Sequence, residues 1–142
     1  MVPKFRAWNG YRKIMADYVS AIQNGDTQGT PSSVNVIVNG KNETWDIKND
    51  HVELLQSTGL KDANGKEIYE GDIIVSKPND PTFEPLKIGV VKCSKIDAGW
   101  SYRTATDEYN IWTSGKYRTY EIIGNVYENP ELLEAQHDTR TD

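Results

Sequence analysis

Cationic and flat aromatic side chains are interleaved at the beginning of the chain. Residues 1–15 contain four cations and no acid, whereas the whole chain has a formal net charge of −5. This mixture suits a single-stranded nucleic acid, whose phosphates meet the cations while its bases stack, or a groove on a protein partner. The alternative is structural: Trp8 and Tyr11 form a cross-strand pair, and the cations surround it in solvent. The candidate binding surface consists of Lys4, Arg6, Trp8, Tyr11 and Lys13.

A second group of aromatic residues lies later in the chain, with arginine among them. Small β-barrels bind peptides or oligonucleotides through surplus aromatic side chains near their loops. Some of these rings must instead fill the interior of the fold. The secondary candidate surface consists of Trp100, Tyr102, Arg103 and Trp112.

Four acids crowd the middle of the chain, namely Asp62, Glu67, Glu70 and Asp72. A carboxylate cluster can bind a divalent cation or serve in acid-base catalysis. Turn formation is the simpler explanation, because Asp62 opens an Asp-Ala-Asn-Gly turn and Asp72 follows a glycine at the start of a strand. We therefore favour a structural role for these acids.

The residue types that carry metal or nucleophilic chemistry are scarce. The chain has two histidines, His51 and His137, and one cysteine, Cys93, with no ligand spacing among them. We expect no metal and no cofactor, an exposed His51 in a turn, and a buried Cys93 in a reducing compartment. The phosphate-binding loops of nucleotide hydrolases are absent, which excludes nucleotide hydrolysis by a P-loop. No pattern in the sequence is typical of a catalytic site, and we predict that the protein is not an enzyme.

The cations at the beginning of the chain require a hairpin to position them. Asn9-Gly10 is typical of a two-residue type I′ turn between strands at 5–8 and 11–14. In that register Trp8 faces Tyr11 and Arg6 faces Lys13 in solvent, while Phe5 and Ile14 face the core.

The rest of the chain is rich in strand and turn signals. Residues 17–23 are compatible with a short helix, 24–33 with a mobile loop, and 34–47 with a second hairpin around Asn39-Gly40. Later strands, bent at Gly89 and Gly124, suggest an SH3-like barrel over about 60–128. Asn129-Pro130 begins a short helix.

These signals predict a mainly β (β-rich α+β) fold. An N-terminal β-hairpin region, residues 1–59 with a mobile loop near 24–33, packs on a small SH3-like barrel. The barrel and a short C-terminal helix occupy 60–135, and a polar tail occupies 136–142.

Three segments of this sequence resemble the YopX family of phage and prophage proteins. They are LLQSTGLKDANGKEIYEGDII at 54–74, KFRAW at 4–8 and YEIIGNVYENPELL at 120–133. The resemblance implies a phage-encoded protein in the cytoplasm of the bacterial host. The family has no settled activity, so it supplies no catalytic residues.

These observations favour a non-enzymatic phage accessory protein that acts as a macromolecular interaction module. A phage or host protein is the expected partner, because the acidic balance disfavours phosphate-driven binding. A single-stranded nucleic acid is the alternative partner, a metal-dependent hydrolase is the weaker alternative function, and self-association into a homo-oligomer is compatible with both binding functions. No stretch reaches the roughly 20 apolar residues of a membrane span, so we expect no membrane partner.

Overall fold

Strands account for most of the ordered secondary structure. The computed structural model describes residues 4–24, 31–79, 86–93, 99–111 and 118–133. The chain forms two compact units, unit 1, Met1–Ser57, and unit 2, Thr58–Asp142. The strands are β1 Phe5–Asn9, β2 Ile14–Met15, β3 Tyr18–Asn24, β4 Pro31–Val38, β5 Lys41–Asp46, β6 Val52–Lys61, β7 Glu67–Tyr69, β8 Asp72–Pro78, β9 Lys87–Cys93, β10 Trp100–Arg103, β11 Glu108–Asn110 and β12 Arg118–Asn125.

In unit 1, β3, β4 and β5 form an antiparallel sheet in that order. The turn between β4 and β5 is Asn39-Gly40, whose φ angles of 51° and 79° are both positive, and Val38 pairs directly with Lys41. These are the properties of a type I′ turn, and the predicted second hairpin is confirmed. The sheet contributes to a core of Ala7, Ala16, Val19, Val34, Val36 and Trp45.

The short helix suggested for residues 17–23 is wrong, because β3 occupies this segment. Tyr18 pairs with Ile37 and Ile22 with Val34, and a register irregularity lies between Val19 and Ala21. Tyrosine, valine and isoleucine favour strands, and pairing with β4 gives their backbone groups hydrogen bonds along the ladder. Asn24 ends β3 and Pro31 begins β4, so residues 25–30 of the predicted loop lie outside the described residues.

The register predicted for the first hairpin is also wrong. Trp8 pairs with Met15 and Asn9 with Ile14, which leaves a four-residue loop of residues 10–13 instead of a two-residue turn. β1 pairs on its other side with β6, where Arg6 lies opposite Leu55. Trp8 is buried, and its cross-strand partners are Met15 and Glu53, not Tyr11. Phe5 and Ile14 are partly buried against the core of unit 1, although they are not cross-strand partners.

In unit 2, five antiparallel strands form a sheet in the order β11-β10-β9-β8-β12. The sheet is curled into a half barrel, so the predicted mainly β fold is confirmed. Residues at alternate positions of these strands contribute to the core, as period-two geometry requires, together with Ile68 of β7. The core consists of Ile68, Ile74, Val91, Tyr102, Ile111 and Tyr120.

Two further predictions concern unit 2, and one of them is wrong. A short helix spans 131–133 after Asn129-Pro130, close to where it was predicted. The predicted burial of Cys93 is wrong, because Cys93 is exposed at the last position of β9, next to the exposed Lys92. The predicted polar tail at 136–142 lies outside the described residues.

Candidate functional site

A loop of residues 10–13 presents the most exposed large hydrophobic side chain among the described residues. Tyr11 is 72% exposed at this position. Asn9 is fully buried and stabilises this loop. Its Oδ1 accepts the N–H groups of Tyr11 at 3.1 Å and Arg12 at 2.8 Å. The Asn9 carbonyl also accepts the N–H of Lys13 at 2.8 Å. We call residues 10–13 the Tyr11 loop.

A second turn, residues 47–51, supports the Tyr11 loop from the side. The N–H of Gly10 donates to the His51 carbonyl and the N–H of Tyr11 to the Asp50 carbonyl, both at 3.1 Å. Two side chains close this turn. Asp50 accepts the N–H of Asp46, and Asp46 accepts the N–H of Asn49. Two hydrogen-bonded turns thus hold the backbone at Tyr11.

Backbone strain is concentrated in these two turns. Among the described residues, three non-glycine residues have positive φ, and two of them are Lys13 at 60° and His51 at 49°. This left-handed conformation is costly for residues with a Cβ atom, and it recurs at binding and switch sites. Gly10 has no such strain, but a Cβ atom there would lie 2.8 Å from the His51 carbonyl oxygen. The close approach of the two turns therefore requires glycine at position 10.

The charges beside the Tyr11 loop are partly compensated. Arg12 forms an ion pair with Glu43 at 2.6 Å. Hydrogen bonds from the indole N–H of Trp45 and from Arg12, together with the positive charge of Arg12, lower the pKa of Glu43. Lys13 and His51 are exposed nearby. The loop therefore combines an exposed aromatic ring with one ion-paired and one exposed cation, beside a turn that carries the carboxylates of Asp46 and Asp50.

The structure separates the five residues of the first candidate surface. Tyr11 and Lys13 lie together on the Tyr11 loop, whereas Lys4 is exposed beyond the opposite end of β1. Trp8 is only 8% exposed and Arg6 is half-buried. Residue spacing alone does not predict this arrangement, because Asn9-Gly10 is also typical of a two-residue turn. The known preference of asparagine for bonding to N–H groups two or three residues ahead would have indicated the longer loop.

The secondary candidate surface is also divided. Tyr102 is buried in the core of unit 2, and Trp100 packs against this core. Arg103 follows Tyr102 in β10, so its side chain lies on the face of the sheet opposite to the Tyr102 ring. Arg103 forms an ion pair with Glu108 at 3.2 Å. Trp112 lies outside the described residues.

Two of the four acids of residues 62–72, Asp62 and Asp72, hold turns. Asp62 is only 5% exposed, and its Oδ1 accepts the N–H groups of Asn64 and Lys66, both at 2.9 Å. Its Oδ2 accepts the N–H of Ile122 in β12 at 3.1 Å. Asp72 accepts the N–H of Tyr69 at 2.8 Å. Within the described ranges, no group of three metal-binding side chains is present.

Fold and site together define a small, mainly β protein in which an aromatic loop and a curled sheet are the prominent features. Residues 4–134 match the family described as YopX protein, so the chain belongs to the YopX family. The predicted family resemblance is confirmed.

Two solved structures resemble this chain over nearly its whole length. Protein EF1440 from Enterococcus faecalis is 29% identical with a TM-score of 0.64, covering 94% of this chain and 99% of that one. Protein yopX from Bacillus subtilis is 24% identical with a TM-score of 0.60, covering 92% and 97%, and supports the fold alone. No curated protein matches the chain. Among the described residues, no helix has the length and apolar character needed to span a membrane.

Proposed function

We propose that this chain is a non-enzymatic interaction module of a phage or prophage, which binds a protein partner in the cytoplasm of the bacterial host. The observation that carries the proposal is the Tyr11 loop. An aromatic side chain that is 72% exposed gains nothing from the core of its own unit. Burying such a ring against a partner is favourable, and tyrosine is common among the residues that dominate protein interfaces.

The rigidity of the loop also favours binding. Association costs free energy when flexible loops become ordered at an interface. Here hydrogen bonds from Gly10, Tyr11, Arg12 and Lys13 to acceptors on Asn9, Asp50 and His51 fix the loop before any partner arrives. The Tyr11 loop is therefore preorganised for docking.

A single-stranded nucleic acid is less well supported as the partner. Trp8 is buried and Arg12 is paired with Glu43, so the described residues do not form the continuous cationic and aromatic face that such binding needs. The net charge of −5 also opposes a polyanion.

A photo-reactive phenylalanine analogue at position 11, introduced into the full chain in phage-infected host cells, tests the proposal. Tyr18, which is 47% exposed on β3, is the matched control position. We expect a discrete protein adduct from position 11, absent from position 18 and competed by the unlabelled chain. Tyr11→Ala should abolish this competition while leaving the thermal midpoint within about 2 °C, as expected of an exposed site.

Either of two results contradicts the proposal: no adduct at position 11, or the same adducts from both positions. An adduct of position 11 with nucleic acid instead would support the alternative partner.

A further inference from the structure

β3 is an edge strand that lacks the usual protection of a sheet edge. Among the described strands it pairs with β4 alone, so one side of its backbone faces away from the sheet. Tyr18–Asn24 reads YVSAIQN, with no charged residue and no proline. The side chains of Ser20 and Gln23 donate hydrogen bonds to Asn35 on β4, toward the sheet. Backbone groups on such an edge are a template for another strand.

Most other edges of the three sheets are short or charged. β2, β7 and β11 have two or three residues each, whereas β3 has seven. β5 carries Lys41, Glu43 and Asp46, and its Glu43 forms an ion pair with Arg12. Short strands and charged side chains both discourage pairing with a further strand.

β12 is also a long edge strand, but residues from outside its sheet cover it. The Tyr120 carbonyl accepts the N–H of Ala63 at 2.8 Å. The N–H of Ile122 donates to the Asp62 carboxylate at 3.1 Å. Within the described ranges, no hydrogen bond of this kind reaches β3 from outside its sheet. β3 is therefore the long edge that is open to a further strand.

Exposed hydrophobic side chains flank this edge on both faces of the sheet. Ile22 pairs with Val34, whose side chain belongs to the core of unit 1. Tyr18 pairs with Ile37, which follows the core residue Val36 and therefore points to the other face. Tyr18 is 47% exposed and Ile22 39%. A molecule resting on one face would cover only one of them, whereas a strand added to the edge contacts both.

A second copy of this chain is the partner whose charge suits this edge. Each copy has a net charge of −5, so two copies repel unless they meet through a surface without charge. β3 is such a surface, and a twofold axis brings the same strand of both copies together.

We propose that β3 is a dimerisation surface, at which two copies of this chain pair their edge strands in antiparallel orientation. The two three-stranded sheets then become one continuous sheet. A bulge at Ser20 interrupts β3, and Ala21–Gln23 have consecutive partners on β4, so the pairing between copies is most regular in this part of the strand. The surface does not include the Tyr11 loop, whose residues precede β3.

Sedimentation velocity of the full chain over a range of concentrations tests the proposal. We expect a monomer–dimer equilibrium in the wild type. Ile22→Lys should raise the dimer dissociation constant by about tenfold or more, because a lysine on an edge strand opposes pairing and twofold symmetry introduces it twice.

Ile123→Lys is the matched control. Ile123 is 37% exposed and lies on β12, whose edge is covered, so this variant should dimerise as the wild type does. Tyr11→Ala should dimerise as well, which separates a failure of this surface from a failure of the Tyr11 loop.

A second variant and a crosslink keep the test decisive if Ile22→Lys does not fold, which its thermal midpoint shows. Tyr18→Lys should weaken the dimer in the same way. A photo-reactive phenylalanine analogue at position 18 of the purified chain should join two copies of the chain, an adduct distinct in mass from that of position 11.

Three results would overturn the proposal. The first is a wild type that stays monomeric at every concentration, which would leave the edge to a strand of another protein. The second is equal loss of the dimer in Ile22→Lys and Ile123→Lys. The third is assembly beyond a dimer, because twofold pairing occupies the β3 edge of both copies.

Discussion

The carboxylate of Asp62 is the acceptor for three backbone N–H groups, one of them 60 residues away in β12. A buried acceptor of this kind stabilises both the turn that follows β6 and its attachment to the curled sheet. We expect Asp62→Ala to lower the free energy of unfolding by about 3 kcal/mol or more, because three backbone N–H groups lose their buried acceptor. Urea denaturation measures the loss.

Glu121→Ala is the control for Asp62. It removes an exposed carboxylate whose ion pair with Lys77 spans 3.7 Å, and should change stability by about 0.5 kcal/mol. If both variants lost the same stability, the acids of residues 62–72 would need a role other than holding turns.

Glu43 is expected to make stability depend on acid pH. Its pKa in the folded chain is lowered below 4.5 by the hydrogen bonds from Trp45 and Arg12. A lowered folded pKa means that the carboxylate stabilises the fold above the pKa of the unfolded chain, and that this contribution is lost as pH falls through the folded value.

The difference in urea midpoint between the wild type and Glu43→Gln should therefore be largest near neutral pH and shrink well below pH 4.5. In an Arg12→Gln background the pH dependence should be smaller. A difference that stays constant with pH would show that the hydrogen bonds act without the charge.

The turn between β7 and β8 requires glycine at position 71 for two reasons, its backbone conformation and its close neighbours. Gly71 has a φ of 88°, its N–H donates to Val91 and its carbonyl accepts from Val126. Gly65 has a similar φ of 82°, but a Cβ there would meet nothing within 4 Å, whereas at Gly71 it would lie 3.0 Å from the Tyr127 ring.

Gly65→Ala should cost about 1 kcal/mol, because a left-handed conformation is costly with a Cβ atom. Gly71→Ala carries the same cost, and crowding against Tyr127 should add about 1 kcal/mol or more. Thermal or urea unfolding compares the two. Equal losses would show that Tyr127 moves aside without cost.

At the scale of the whole molecule, the two units have separate cores. Val36 belongs to the core of unit 1 and Ile74 to that of unit 2, and both are fully buried. Truncating either side chain leaves a cavity costing about 2 kcal/mol or more.

Native-state hydrogen exchange should show in which unit each substitution lowers the stability. We expect Val36→Ala to reduce amide protection chiefly in residues 4–57 and Ile74→Ala chiefly in 58–133, since packing is lost within one core at a time. Equal loss of protection throughout the described residues with either variant would show that the two units unfold as one.

The sequence by itself determined the elements whose signals are local. Asn39-Gly40 predicted a type I′ hairpin and Asp62 a turn, because φ preferences and short side-chain bonds act within a few residues. The β-rich character and the YopX family were also accessible from sequence, since turn spacing and the three family segments are written along the chain.

The tertiary structure decided which kind of turn each of two identical Asn-Gly dipeptides forms. Asn9-Gly10 carries the same dipeptide as Asn39-Gly40, yet Asn9 lies between two partner strands, pairing with Ile14 and Val52, and its buried side chain holds a four-residue loop. In this arrangement Trp8 is buried and Tyr11 is exposed. The hydrogen bond from the Tyr102 hydroxyl to Ser76 likewise joins strands distant in sequence, and no local preference encodes which strands become neighbours.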